Sequence, residues 1–196
     1  LRPQDVTHDT QAIVGRGGSG IVHSGTLTHP DGVVEAVAIK RLHAGATPGE
    51  ERRFQKELAV SLRASQRCPR ACQLHGWVPH EGALCLVMKL YAKSLHAHLD
   101  ERRSTDGTAC VRPLPYGDVT EFAAQILEGL AQLHAVGIVA QDLKPSNLLM
   151  DERGQLFVAD FGLASVLAAT TTTATAQSTT GAGGGTPAYK APEQYS

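Results

Sequence analysis

The feature that most constrains this chain is a glycine run set between two strand patterns. Gly15-Arg16-Gly17-Gly18-Ser19-Gly20 is followed by Ile21-Val22. Glycines at this density let backbone amides close on phosphate oxygens with no Cβ in the way. Taken alone, the run is also an ordinary hairpin turn. Its sequel excludes two rivals. A Walker loop needs Lys after its last Gly, and here Ile21 follows. A dinucleotide fingerprint opens a helix, whereas Ile21 to Thr28 alternates in part, as a strand does.

Val33 to Ile39 is β-branched and apolar, and predicts a second strand. His29-Pro30-Asp31-Gly32 lies between, with Asp31-Gly32 suited to the φ > 0 geometry of a tight hairpin. Val37-Ala38-Ile39-Lys40 ends that strand, and Lys40 falls 20 residues after Gly20. A lysine at a buried strand end needs an anionic partner, because unpaired burial is costly. Glu57 is the candidate, with Glu50 and Glu51 as competitors.

The spacing predicts a helix over Glu50 to Arg67, with Phe54, Leu58 and Leu62 on one face and Pro69 ending it. Leu74 to Val78 and Ala83 to Leu90 read as strands, with Pro79 to Gly82 as their turn. Beyond Tyr91 the pattern turns helical. Ser94 to Arg102 is a short helix and Ser104 to Pro115 a polar loop. Asp118 to Val136 is a longer helix, with Phe122, Ile126, Leu130 and Leu133 on one stripe and Gly137 as its stop. Short strands follow near Leu148 to Met150 and Leu156 to Ala159. Ala168 to Gly185 is a Thr/Ala/Gly tract with too few large side chains to order itself.

Bulk numbers narrow the class. The chain has 196 residues, 42% hydrophobic and 19% charged, with a net charge of -1. That describes one globular unit with no electrostatic reason to bind nucleic acid or an acidic membrane. No apolar run is long enough to span a bilayer. Cys68, Cys72, Cys85 and Cys110 show no zinc-site spacing and no disulfide framework, so they read as reduced thiols of a cytoplasmic, intracellular protein. The nine histidines look scattered, with His96 and His98 the closest pair, on an exposed helix.

The second half carries the specific motifs. Asp142-Leu143-Lys144-Pro145-Ser146-Asn147 is followed 13 residues later by Asp160-Phe161-Gly162, then by Gly185-Thr186-Pro187-Ala188-Tyr189 and Ala191-Pro192-Glu193. In order and spacing this resembles the serine/threonine branch of the protein kinase superfamily, from about Ile13 to Tyr195. The resemblance implies an α+β bilobal fold. A β-rich N-lobe with one main helix would span 9–90, and the beginning of a mainly helical C-lobe 91–196. It implies ATP and Mg²⁺ as cofactors and protein Ser/Thr hydroxyls as substrate. A pseudokinase, serving as a nucleotide-binding or scaffold module, is the alternative, and a small-molecule phosphotransferase of the same fold is a third reading. Lys40, Asp142 and Asp160 are the residues whose loss would mark the pseudokinase, and all three are present.

Residue by residue, the resemblance implies that Gly15, Gly17, Gly18, Ser19 and Gly20 cover the phosphates. Lys40 reaches the α and β phosphates and pairs with Glu57. Asp142 accepts or orients the substrate hydroxyl proton, and Lys144 sets a cation near the transferred phosphate. Asn147 and Asp160 offer oxygen to Mg²⁺. Val22 and Ala38 above and Leu149 below would enclose the adenine. Met88 stands at the gatekeeper position, with Lys89, Leu90 and Tyr91 as the hinge.

Three departures stand out. Ala140-Gln141 precedes Asp142 where the family has His-Arg, and Gln141 cannot pair with a phosphate as Arg does. Activation by phosphorylation of the Thr170–Thr180 region is therefore not expected. Ala140 and Ser61 are small where the family stacks larger side chains, leaving Leu74 and Phe161. That implies a looser active form, by of order 1–3 kcal/mol. The chain also stops at Ser196, where the family continues through further helices. From this, exposed apolar surface on the long helix and an unpaired Glu193 are expected.

Overall fold

The computed structural model describes residues 1–17, 20–41, 48–102, 113–162, 164–166 and 186–192. After a single turn of 3-10 helix at Pro3–Asp5, five strands build one antiparallel sheet. They are β1 (Val6–Gly17), β2 (Gly20–Thr28), β3 (Val34–Arg41), β4 (Leu74–His80) and β5 (Ala83–Lys89), in the order β1-β2-β3-β5-β4. β3 carries the β-branched residues Val34, Val37 and Ile39. Val37, Ala38, Ile39 and Lys40 are all buried, so the end of that strand is covered on both faces and the alternation of a half-exposed strand disappears. Leu27, Val37, Ile39, Val78, Cys85 and Val87 form the core of the sheet. Full burial of each Val or Ile contributes about 1.5–3 kcal/mol.

α1 (Pro48–Arg67) connects β3 to β4. It starts two residues before the sequence pattern indicates, because proline suits a first helical turn. The main structural correction is Leu62, which is 43% exposed rather than in the core with Phe54. A step of four residues overshoots a helical turn by about 40°, so two steps carry Leu62 about 80° round from Phe54. Strand β4 also runs on to His80, and its turn shrinks to Glu81-Gly82, where both residues have positive φ (47° and 75°).

The helical part contains β6 (Lys93–Ser94), α2 (Leu95–Asp100), α3 (Tyr116–Ala135) and β7 (Ile138–Val139), then β8 (Leu148–Met150), β9 (Leu156–Val158) and β10 (Ser165–Val166). Ser94 is the N-cap of α2 and not part of it: its Oγ accepts the Ala97 amide at 3.1 Å. α2 carries His96 and His98, with His96 beside Asp100. Gly137, at φ 73°, follows α3, as the sequence indicated. Leu95, Leu133, Ile138, Leu148, Met150, Leu156, Val158 and Phe161 share a core with Val60 and Ala64 of α1. The helix that carries Glu57 is thus packed into the helical part as well as against the sheet. Tyr116, Val119 and Leu127 of α3 are exposed.

One junction fixes these parts together. Directly after α1, Arg70 reaches Glu128 of α3 (2.8 Å) and Gln155 beside β9 (2.8 Å). Its amide donates to Gln132 Oε1 at 2.9 Å, and its carbonyl accepts the Val158 amide at 2.8 Å. Cys72 donates back to the Val158 carbonyl at 2.8 Å, and Gln125 Oε1 accepts the Leu156 amide at 2.6 Å. A Cβ on Gly129 would stand 3.1 Å from Val158 Cγ2 and 3.3 Å from Arg70 Cβ, so glycine is what permits this approach. Val158 lies two residues before Asp160. The same knot therefore holds the exit of α1 and the entry to the metal-binding candidate.

Candidate active site

Lys40, on β3, is 5% exposed and meets two carboxylates. Its Nζ lies 2.5 Å from Glu57 Oε1 and 2.8 Å from Asp160 Oδ1. The structure thus selects Glu57 from the α1 glutamates and adds Asp160 to the pair. Burial opposes the Lys40 charge, but Asp160 and Glu57 outweigh it and hold the ammonium above its ordinary pKa. Burial also pushes the Glu57 carboxyl up, against the pull of Lys40. Asp160 adopts φ 58°, in the left-handed region. This is local strain that the surrounding contacts must hold. A Cβ at Gly162 would approach Glu57 Oε2 to 3.2 Å and Asp160 Oδ1 to 3.4 Å, which explains glycine there.

The second cluster sits on the loop between β7 and β8. Lys144 Nζ bonds Asp142 Oδ2 at 2.6 Å and Thr186 Oγ1 at 2.7 Å. The Thr186 amide and hydroxyl both donate to Asp142 Oδ1, at 3.0 and 3.2 Å. Burial alone would raise the Asp142 pKa, but these bonds from Lys144 and Thr186 bring it below the usual value. Asp142 therefore stays a carboxylate near neutrality, as an acceptor of a hydroxyl proton must. Asn147, 7% exposed, directs Nδ2 to the Asp142 carbonyl (2.9 Å) and to its Oδ2 (3.2 Å). With the nitrogen so engaged, the Asn147 amide oxygen is the atom to offer a cation. The Ala159 amide donates to the Asn147 carbonyl at 2.9 Å, tying this loop to the strand that leads into Asp160.

An oxygen donor pair from Asn147 and Asp160 fits Mg²⁺, a hard cation that keeps water and phosphate ligands alongside one or two protein groups. Among the described residues no cluster of three His, Cys, Asp or Glu is arranged for a metal.

The remaining residues named from sequence lie around these clusters. Gly15 pairs with Val22 and Gly17 with Gly20, across the strand ends that carry the turn. Gly18 and Ser19 lie outside the described residues. Val22 pairs with Lys40, and Ala38 with Met88. Lys89 ends β5, its amide donates to the Gln73 carbonyl at 2.9 Å, and its ammonium lies over Tyr91 at 5.3 Å from the ring centroid. Leu90 and Tyr91 follow on the way to β6. Leu149 of β8 pairs with Phe157 of β9. Phe161 is buried in the core to which α1 contributes, and Ala140 packs against that core. Ser61 is buried too. Cys68, Cys72 and Cys85 are buried free thiols. Cys110, the Thr170–Thr180 region and Glu193 lie outside the described residues.

Arg70, Gln125, Gly129 and Gln132, which position the site, carry no signal that sequence reasoning detects. Gln125 and Gln132 are seven apart on α3, a same-face spacing, but nothing in the sequence says what that face meets.

A five-stranded antiparallel sheet, a buried strand lysine paired to a helix carboxylate, and a loop on which Asp142 bonds Lys144 fit the protein kinase fold. Comparison with known sequences agrees. The model of the protein kinase domain matches residues 8–195. A putative cyclin-dependent kinase F-2 of Oryza sativa subsp. japonica is 33% identical over 80% of this chain and 46% of its own length. The mitogen-activated protein kinase sma-5 of Caenorhabditis elegans is 36% identical over 81% of the chain and 30% of its own length. A leaf rust 10 disease-resistance locus receptor-like protein kinase-like 1.4 of Arabidopsis thaliana is 31% identical over 98% of the chain and 27% of its own length. The chain belongs to the protein kinase family, and it spans less than half the length of these three relatives. No helix among the described residues is long and apolar enough to cross a membrane.

Proposed function

We propose that this domain transfers the γ-phosphate of ATP, with Mg²⁺, to serine or threonine hydroxyls of proteins. The observation that carries the proposal is the Asp142–Lys144–Thr186 cluster, in which one carboxylate, one ammonium and one hydroxyl meet within hydrogen-bond distance. Lys144 and Thr186 both bond the candidate base, and a lysine two residues after that aspartate resembles the serine/threonine branch, which supports Ser/Thr over Tyr. Mg²⁺ held by Asn147 and Asp160 would supply charge neutralisation on the triphosphate. The chain's own residues do the rest. Lys40, steadied by Glu57, binds phosphate oxygens. The glycine turn excludes water above them. Asp142 takes the hydroxyl proton, and Lys144 holds a positive charge beside the transferred group. Regions 9–90 and 91–196 act in this proposal as the two lobes that enclose the nucleotide.

The test is phosphate transfer from labelled ATP to a generic basic protein, followed by phosphoamino-acid identification. Label on serine or threonine, reduced about 10²–10⁴-fold by Asp142→Asn, supports the proposal. ATP analogue binding with no transfer would instead identify a pseudokinase.

A further inference from the structure

The strands that hold the glycine turn, together with the end of β4, carry a histidine cluster for which phosphate transfer has no use. His8 is on β1, His23 on β2 and His80 at the end of β4. The His8 ring centroid lies 4.9 Å from that of His23 and 4.5 Å from that of His80. His23 is 7% exposed. Both ring nitrogens of His8 and Nδ1 of His23 are buried without a hydrogen-bond partner. Buried polar atoms are ordinarily paired, so three orphans in one place mark a site whose environment is not settled at every pH.

The place matters as much as the atoms. His8 pairs with Gly25 and Asp9 with Ser24, but the next pair is Ile13 with His23. Residues 10–12 therefore bulge out of β1 between the two histidines. Asp9 Oδ1 holds that bulge by accepting the amides of Gln11 (3.0 Å) and Ala12 (3.2 Å). Beyond it Ile13 pairs with His23, the register shifts again, and regular pairing resumes at Gly15 and Val22, where the glycine turn begins. A disturbance at the histidines therefore acts where β1 is already most weakly paired to β2.

We propose that His8, His23 and His80 form a proton-sensitive latch on the glycine turn, in which proton uptake at His8 frees β1 from β2 at the bulge. The groups that face His8 are His23 from β2, Arg41 from β3, His80 from β4 and Glu81 from the β4–β5 turn. Three of these oppose a charge on His8 and only Glu81 favours one. Glu81 is already engaged with Arg41 at 3.2 Å. Burial first, then His80, His23 and Arg41, hold the His8 pKa below its ordinary value. Folded His8 thus binds protons more weakly than unfolded His8. The latch is at full strength above the unfolded histidine value of about 6.5, and is lost as pH falls from there through the folded value. Its effect on nucleotide rests on the function proposed above, whereas its effect on the sheet does not.

The experiment compares wild type, His8→Phe and His80→Gln at pH 7.5 and 5.5. His80 is half-buried, so the second variant guards against a His8 variant that does not fold. Urea midpoints are the first readout. Wild type should lose stability on acidification, and each variant should at least about halve that loss. Hydrogen exchange at pH 5.5, corrected for intrinsic rate, should rise in β1 and β2 before β5. An equal midpoint loss in all three proteins, or exchange rising first outside β1 and β2, would overturn the latch. So would stabilisation of wild type by Zn²⁺ at pH 7.5 that is lost in His80→Gln, since the cluster would then be a metal site. A fluorescent ATP analogue is the second readout, expected to weaken on acidification more in wild type than in His8→Phe. If the midpoints behave as stated while the analogue binds at neither pH, the latch stands and nucleotide binding fails.

Discussion

Two polar regions of this molecule are built on opposite terms. At the junction after α1, Arg70, Gln125, Gln132, Gln155 and the backbone of Cys72 and Val158 are joined in one connected set of hydrogen bonds that extends to Glu121 and Glu128. At the far end of the sheet, His8 and His23 bury ring nitrogens that meet no partner. The first region fixes geometry, because each group there loses a bond if it moves. The second is poised, because a change of protonation alters its balance at once. The site hangs between them: Glu57 and Asp160 are positioned from the saturated side, and the glycine turn from the orphaned side.

Substitutions should reproduce this contrast in descending order. Arg70→Ala removes the side chain that bridges α3 and the β9 approach, and should cost about 2–3 kcal/mol in urea unfolding at neutral pH. Its Glu128 partner is half-exposed, which keeps the figure from being larger. Gly129→Ala pushes a methyl against Val158 and Arg70 and should cost about 1–2 kcal/mol, with kcat falling more than ATP affinity as Asp160 is displaced. His8→Phe should change neutral-pH stability by less than about 1 kcal/mol, or raise it, since it trades orphaned nitrogens for apolar contact. Arg41→Ala, which breaks a largely exposed pair with Glu81, should stay within about 0.5 kcal/mol. An Arg70→Ala variant as stable as wild type would remove the contrast. Cys72 sharpens it from another direction. Burial raises its thiol pKa to about 12, so alkylation by iodoacetamide at pH 8 should be negligible until the junction unfolds.

The difference also marks what a sequence can disclose. Lys40, Glu57, Asp142, Lys144, Asn147 and Asp160 could be named as candidates because they fall in motifs that resemble those of protein kinases, and the structure brings Lys40 to Glu57 and Asp160, and Asp142 to Lys144 and Asn147. The strands around Lys40 were legible because β-branched runs and turn residues punctuate them. Arg70 was not, since an isolated arginine after Pro69 looks like any solvated charge until α3 and β9 are laid across it. The histidine cluster was hidden more deeply. Positions 8, 23 and 80 meet only because the sheet order β1-β2-β3-β5-β4 is strongly curved and brings the end of β4 back to β1. Leu62 was misplaced for a simpler reason, the accumulated overshoot of a four-residue step on a 3.6-residue helix. The substitutions Ala140 and Gln141 were visible at once. The structure adds that Phe161 is nonetheless buried, in a core to which Val60 and Ala64 of α1 contribute.

In the proposed function Asp142, held ionised by Lys144 and Thr186, removes the proton from a protein hydroxyl as phosphate transfers. The most direct measurement is single-turnover transfer from ATP in wild type and Asp142→Asn, alongside the affinity of each for an ATP analogue. Transfer is expected to fall by about 10²–10⁴-fold with analogue affinity unchanged within about threefold. Equal transfer rates in the two proteins would contradict it.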